Sequence, residues 1–361
     1  MSHVRICLLG LFLFQFLPLS SQVLVQTAFH RGTTLKIHPS YPPLPLAAKA
    51  GEITVLFPTS GQKSWHEPWG YPMVGVQVSA SAPGNPDAFG SIWGVTACLD
   101  QQIFQAGNLS LRIRFNTGMA RQSRPYHPIS NQANTALAAR WVNLTQARLY
   151  LQYSIAQYQV QFGGAYWHYS SAKARVPNFG INEAMLHLGV SWISKPLPSV
   201  QPSPHVSIEH RIRAALRFES GRISRKTPGG PQYWAIGMTS WARYHLRPHL
   251  YLDAGAKVFF EESLVAFAID NDFGLANPQR EAIGIVAFGG VELLMGRLGL
   301  RAWLGPYLKQ PILMEYDLFT ELGLQYYFRP QTARLRPFLS VGVQAHGGEA
   351  DFAVWGLGVM L

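Results

Sequence analysis

Leu109-Ser-Leu-Arg-Ile-Arg-Phe-Asn-Thr-Gly-Met119 sorts its side chains with a period of two. Leu109, Leu111, Ile113, Phe115 and Met119 share one parity, while Ser110, Arg112, Arg114 and Asn116 share the other. A helix would scatter these residues around its axis; a strand sends alternate residues to opposite faces. Residues 206–219 repeat the separation, with Val206, Ile208, Ile212, Leu216 and Phe218 opposing Ser207, Glu209, Arg211, Arg213, Arg217 and Glu219. It returns at 297–304 and 316–328. The pattern predicts a chain built of half-polar strands.

The composition says which solvent those apolar faces meet. The 361 residues are 48% hydrophobic and only 14% charged, with 33 Gly, 10 Trp, 15 Tyr and 20 Phe, a charge content low for a soluble protein. No continuous apolar span follows residue 21. A transmembrane barrel reconciles the two facts, because its strands alternate lipid-facing and lumen-facing residues. A soluble sandwich would alternate as well, but with less reason for so many aromatics. The formal charge of +11 suits anionic lipid or lipopolysaccharide phosphate. Export makes nucleic acid a poor partner: His3 and Arg5 precede the apolar run from Ile6 to Leu19, so residues 1–21 are expected to be a cleaved signal peptide. That run is too short, and too broken by Gln15 and Pro18, for a spanning helix. Removing it leaves Cys98 as the one cysteine, so no intramolecular disulfide is expected.

Strands are expected near 72–82, 88–98, 108–120, 135–154, 157–170, 180–194, 205–219, 232–247, 249–261, 279–294, 297–309, 316–328, 335–347 and 350–361. The fold class is therefore all-β: one antiparallel transmembrane β-barrel of about fourteen strands, within a range of twelve to sixteen, spanning residues 71–361. Residues 22–70, with the proline-rich stretch from Pro39 to Pro45, read as a periplasmic or lumenal segment, with 51–57 as an optional extra strand. Tight connections at Ala156-Gln157, 247–249 and Gly296-Arg297 alternate with longer ones at 121–134, 171–179, 220–231 and 262–278. Short turns belong to the periplasm and long loops to the exterior.

In the strand near 157–170, Gln157, Gln159 and Gln161 suit the lumen, and Tyr158, Val160, Phe162 and Tyr166 suit lipid. His168 and Ser170 continue the lipid-facing row. A serine needs an adjacent base to become a nucleophile, and imidazole is the usual supplier. Folding gives no reason to aim an ionisable ring at lipid, so the pair suggests a lipid substrate. On the next strand Asn182 shares the outward parity of Leu186, Leu188, Val190 and Trp192, whereas Glu183 shares the inward parity of His187 and Ser191. Asn182 is the residue expected to orient His168.

His168-Tyr-Ser170-Ser171 followed by Asn178-Phe-Gly180-Ile-Asn182 resembles the active-site signature of the outer-membrane lipid A 3-O-deacylases, or acyloxyacyl hydrolases. The family pattern is His-x-Ser-Asn followed, at this spacing, by Asn-x-Gly-Ile-Glu. The signature covers about 15 residues. Gly84-Asn-Pro-Asp87, Pro128-Ile-Ser-Asn131 with Asn134, and the segment from Ala345 to Gly358 extend the resemblance toward the longer members from Bacteroidetes-like bacteria. The resemblance implies Ser170 as nucleophile, His168 as general base, position 182 as its orienter, and Ser171, Asn178 and Gly180 as oxyanion or site-shaping residues. It implies an esterase that removes an O-linked acyl chain from lipid A, with lipopolysaccharide and outer-membrane lipids as partners and no cofactor. Two departures are visible. Ser171 stands where shorter members carry an asparagine associated with the oxyanion hole, and Asn182 stands where they carry glutamate. Both departures weaken the expected chemistry.

Lys173, Arg175, Asn131 and Asn134 are weaker candidates for substrate contact, with Arg222, Arg225 and Lys226 on the next outer loop. His127 and Ser130 suit ordinary turns, and His346 suits a polar lumen contact. No cysteine cluster, phosphate loop or His-Glu-x-x-His segment is present, so neither a metal nor a nucleotide site is expected. The competing reading is a barrel without chemistry, acting as a channel or structural protein.

Overall fold

The structure, a computed structural model, describes residues 22–195, 199–205, 211–225, 227–312, 317–346 and 349–361. The expected signal peptide, the alternation over 206–209 and Lys226 lie outside the described residues. The chain divides into two compact units. The first is a closed antiparallel barrel of β1 (Leu24–Thr34), β2 (Ala48–Pro58), β3 (Met73–Ala82), β4 (Ile92–Ala106), β5 (Leu109–Gln122), β6 (Trp141–Ile155), β7 (Tyr158–Ser170) and β8 (Ile181–Ile193). Pairing of β1 with β8, Leu24 opposite Ile193 through Thr34 opposite Glu183, seals it. The second barrel comprises β9 (Ile212–Ile223), β10 (Tyr233–Arg247), β11 (Leu250–Glu261), β12 (Ile283–Met295), β13 (Leu298–Lys309), β14 (Leu318–Tyr327), β15 (Arg336–His346) and β16 (Glu349–Met360). There β16 returns to β9, with Ala353 opposite Arg222 and Met360 opposite Ala215.

These pairings correct the expectation of one fourteen-stranded barrel starting at residue 71. Sixteen strands are described, in two closures of eight, and residues 22–70 contribute β1 and β2 to the first. The optional strand at 51–57 is β2. Parity could not reveal the error, because adding two strands to an even count leaves both ends of the chain on the same side.

Each barrel is polar inside and apolar outside. In the first, Asp100 bonds Arg112 Nε at 2.6 Å and Arg114 Nε at 2.5 Å, while Glu52 meets Arg148 at 2.5 Å and His30 at 3.0 Å, all fully or nearly fully buried. In the second, Arg243 joins Asp253 at 2.7 Å and Glu292 at 2.6 Å, and Glu321 gathers Arg217, Arg301 and Lys257. An eight-stranded interior is just wide enough for side chains to fill. Meanwhile Phe29, Ile53, Trp93, Phe115, Phe162 and Leu186 on the first barrel, like Phe218, Ile236, Leu304, Leu322 and Leu357 on the second, point outward and are exposed. This inversion of the soluble pattern makes hydrocarbon the natural surroundings of both walls. Among the described residues no helix is long and apolar enough to cross a membrane.

The two ends of each barrel differ. In the first, turns at 107–108 and 156–157 join one end together with the longer 59–72, and loops 35–47, 83–91, 123–140 and 171–180 crown the other. In the second, 248–249, 296–297 and 328–335 oppose 224–232, 262–282 and 310–317. The 262–282 loop carries α1 (Glu262–Asp270) and α2 (Pro278–Glu281), so the connection expected at 262–278 is partly helical and the strand expected from 279 begins only at Ile283. Asn277 caps α2, its Oδ1 accepting the Arg280 N–H at 2.9 Å, and Pro278 fits the first turn because that N–H would be unpaired anyway.

Candidate functional site

His168 and Asn182 sit directly opposite each other on β7 and β8. Directly opposed side chains on one face lie close enough to touch. The His168 ring Nδ1 is 2.6 Å from Asn182 Oδ1, which also accepts the Tyr166 hydroxyl at 2.7 Å. An amide oxygen only accepts, so Nδ1 carries the proton and Nε2 is left with its lone pair. The apolar residues of the outward parity expected from the sequence, Phe162 and Tyr166 on β7 and Leu186 and Leu188 on β8, are exposed, while Trp167, Tyr169 and Glu183 are buried inside; His168 and Ser170 are half-buried and Asn182 is covered, at 6% exposure. Glu183 is turned into the lumen, where Ser81 Oγ donates to its two oxygens at 2.7 and 3.0 Å.

Ser170 ends β7, two residues from His168 on the same face. Its Oγ accepts a hydrogen bond from Asn178 Nδ2 at 3.1 Å. Ser171 fixes which way that amide points, since its backbone N–H and its hydroxyl both donate to Asn178 Oδ1, at 2.8 and 2.9 Å. With the oxygen so occupied, the NH2 group faces Ser170. Gly180 has φ +79°, and a Cβ there would come within 3.2 Å of His168 Cε1 and 3.1 Å of the Tyr169 carbonyl oxygen. Backbone angle and close approach both demand glycine.

The short segment carrying Asn178 is braced from two other loops. Gly180 N donates to Ala136 O at 3.0 Å, and Ala138 N donates to Pro177 O at 2.9 Å. From the loop after β1, the Tyr41 hydroxyl donates to Gly180 O, and His38 stacks on Phe179 with centroids 3.9 Å apart. Burial is the main cause that holds the Tyr41 phenol protonated far above its ordinary range, with lesser contributions from Tyr166 and Glu183. Sequence reasoning missed Tyr41, His38, Ala136 and Ala138, because each reaches the site through tertiary contact without a local pattern. Tyr166 was legible as lipid-facing, though not as a partner of Asn182.

The weaker candidates fall elsewhere. Asn131 Nδ2 lies 3.0 to 3.1 Å from the carbonyls of Ala88, Arg124 and Pro125; Asn134 is fully buried and bonds Gln122 and Arg124 O. Both are staples of the 123–140 loop. His127 Nδ1 accepts the N–H groups of Ile129 and Ser130, the turn role expected of it. Lys173 and Arg175 belong to residues 172–176, which group with the second unit, where the Lys173 carbonyl accepts Ser224 N–H at 3.0 Å. Arg222 lies over the Trp234 ring at 3.9 Å, Arg225 pairs with Glu261, and His346 pairs with Asp351. Among the described residues no cluster of three or more His, Cys, Asp or Glu could hold a metal ion.

A family model described as lipid A 3-O-deacylase (PagL) matches residues 50–191, and one described as acyloxyacyl hydrolase, C-terminal domain, matches residues 211–361. Among curated proteins none matches the sequence. Among solved structures, the chain is similar to CdiB from Acinetobacter baumannii at 11% identity and a TM-score of 0.18, covering 95% of this chain and 60% of that one. It is similar to the outer membrane phospholipase A from Escherichia coli at 12% identity, covering 95% and 97%, with a TM-score of 0.20. A third likeness is to the outer membrane protein Omp33 of Acinetobacter baumannii, at 8% identity over 94% and 97%, with a TM-score of 0.17. The chain thus spans less than two thirds of CdiB.

Proposed function

Since the chain belongs to the lipid A 3-O-deacylase and acyloxyacyl hydrolase family of the outer membrane, we propose that it is a serine esterase hydrolysing an O-linked acyl chain of lipid A. The observation that supports the reading is the placement of His168, bonded to Asn182, and Ser170, bonded to Asn178, two residues apart on one face of β7 at the long-loop end. Long loops face the exterior, where lipopolysaccharide lies. An acyl chain would lie along Phe162, Tyr166, Leu186 and Leu188 with its ester level with Ser170.

In the proposed reaction Ser170 Oγ attacks the ester carbonyl carbon and passes its proton to His168 Nε2. Asn182 accepts a hydrogen bond from Nδ1–H throughout, holding the ring in the tautomer that leaves Nε2 basic. The carbonyl oxygen becomes an oxyanion beside Ser170, within reach of the Asn178 NH2 group that already touches Oγ. Collapse expels the sugar alkoxide, which takes the proton back from His168 and leaves an acyl-serine. Water, activated by the same imidazole, then releases the fatty acid and restores Ser170. In this reading the oxyanion donor lost at Ser171 is supplied by Asn178, and Ser171 keeps a part by aiming it.

The competing channel reading has less support, because Arg114, Arg217, Arg243 and Arg301 are fully buried in lumens packed with their ion partners. Mass spectrometry of lipid A from cells with and without the protein tests the function: the expected result is loss of one acyl chain's mass when the protein is present. Unchanged lipid A, together with no ester hydrolysis by the purified protein, would favour a passive barrel.

The neutral orienter yields a second expectation. Asn182→Glu should keep the rate or raise it by up to about tenfold, since a carboxylate stabilises the imidazolium formed during attack better than an amide does. Glu183→Gln, which alters a lumen group bonded to Ser81, should leave the rate within about twofold, the size of a small perturbation behind the reacting atoms. If Glu183→Gln abolishes hydrolysis while Asn182→Glu also destroys it, the orienting group has been misassigned.

A further inference from the structure

The short-turn end of the second barrel is strongly cationic. At the short-turn end Arg211, Arg247, Arg297, Arg329 and Arg334 are all exposed, and none has an ion pair among the described residues. No Asp or Glu occurs in the turns 248–249, 296–297 and 328–335. The long-loop end is mixed: Glu262, Asp270, Asp272 and Asp317 are exposed there beside an exposed Arg280, and Arg225 and Lys309 pair with Glu261 and Glu281. Exposed arginines gathered at one end repel one another, which folding alone does not favour.

Two more observations locate what that rim meets. Exposed aromatic side chains, Tyr244 and Phe328, lie beside Arg247 and Arg329, as expected where an aromatic girdle marks the boundary between hydrocarbon and headgroups. Just inside, Arg336 is fully buried, its Cζ 3.8 Å from the Tyr327 ring centroid. The turns are also tied together, Arg297 donating to Phe328 O at 3.4 Å and Gln331 to Pro248 O at 3.0 Å, so the arginines are displayed on an ordered platform.

We propose that the short-turn end of the second barrel is a docking surface for acidic phospholipid headgroups in the periplasmic leaflet. Guanidinium groups grip phosphate oxygens in pairs, which suits a ring of arginines better than a single anion would require. The proposal rests on the outer-membrane placement and is independent of the chemistry at Ser170.

The test uses the full chain folded in neutral detergent micelles and compares binding of fluorescent phosphatidylglycerol with that of phosphatidylcholine. Phosphatidylglycerol should bind at least about tenfold more tightly, and the preference should shrink in about 0.5 M salt as the charges are screened. Each arginine near a charged surface is worth about fivefold, so Arg297→Gln, Arg329→Gln and Arg334→Gln combined should remove the preference. Heat-modifiable mobility reports folding; should the triple variant not fold, the pair Arg247→Gln and Arg334→Gln takes its place. Absence of a preference in the natural chain, or its retention in a folded variant, overturns the proposal. Displacement of the lipid by about 10 mM inorganic phosphate at equal ionic strength would overturn it in favour of a small-anion site, since that comparison removes screening as the cause.

Discussion

Ser170→Ala is expected to abolish lipid A deacylation, by roughly 10⁴-fold or more, while the chain still assembles and reaches the outer membrane. The size follows from the role: without the hydroxyl no acyl-enzyme forms, and what remains is substrate binding and polarisation of the carbonyl. The structural cost is small, because the hydroxyl is a strand-end group accepting one amide hydrogen bond from Asn178, worth about 1 kcal/mol. Heat-modifiable mobility in detergent gels should therefore be unchanged. His168→Ala should lose activity to a similar extent, since serine without its base is a weak nucleophile. Hydrolysis is measured in mixed lipopolysaccharide and detergent micelles. A Ser170→Ala protein as active as the natural chain would move the nucleophile elsewhere.

The strands were legible because period-two alternation is a local property. The reading at 157–170 places Gln159 and Gln161 inward and Tyr158, Val160, Phe162 and Tyr166 outward, and β7 alternates in that way. The number of closures is not local. What separates one large barrel from two small ones is whether Leu24 pairs with Ile193 and Ala353 with Arg222, contacts between residues more than a hundred positions apart. A signal was nevertheless present: Lys195-Pro-Leu-Pro-Ser-Val-Gln-Pro-Ser-Pro-His205 carries a proline at every second or fourth position. Proline cannot donate to a strand ladder, so this stretch marks a boundary that the overall composition concealed. The two family matches respect it, one ending at residue 191 and the other starting at 211. β1 was missed because its lumen-facing row, Leu24, Gln26, Ala28 and His30, mixes apolar and polar residues and blurs the alternation.

The candidate site divides in the same way. The opposition of His168 and Asn182 follows from strand register, and the inward turn of Glu183 follows from parity, so both could be read from spacing. The braces could not. Tyr41 meets Gly180 across 139 residues, and Ala136 and Ala138, read from the sequence as the start of a strand at 135–154, reach the same segment from the loop that precedes β6. Sequence reading weighed Ser171 as a missing oxyanion donor; the structure adds that its N–H and hydroxyl both hold Asn178.

That arrangement makes Asn178 the residue on which the remaining expectation turns. Asn178→Ala should lower kcat by about 10²–10³ with little change in KM, the loss typical of removing one oxyanion donor that acts only as negative charge develops. Asn178→Asp is the sharper variant: it keeps the shape of the side chain and the acceptor for Ser171, yet replaces the donating NH2 with an oxygen beside the developing charge. It should be at least as damaging as Asn178→Ala. Ser171→Ala removes one of two bonds that aim the amide and leaves the backbone N–H in place, so about a fivefold loss is expected, consistent with a hydrogen bond worth about 1 kcal/mol. A steady-state series on the three variants orders them by whether a donor is lost, inverted or merely loosened. If Asn178→Asp keeps more than about a third of the natural rate, no donor at this position serves the transition state, and the charge must be met by groups outside the segment 177–180.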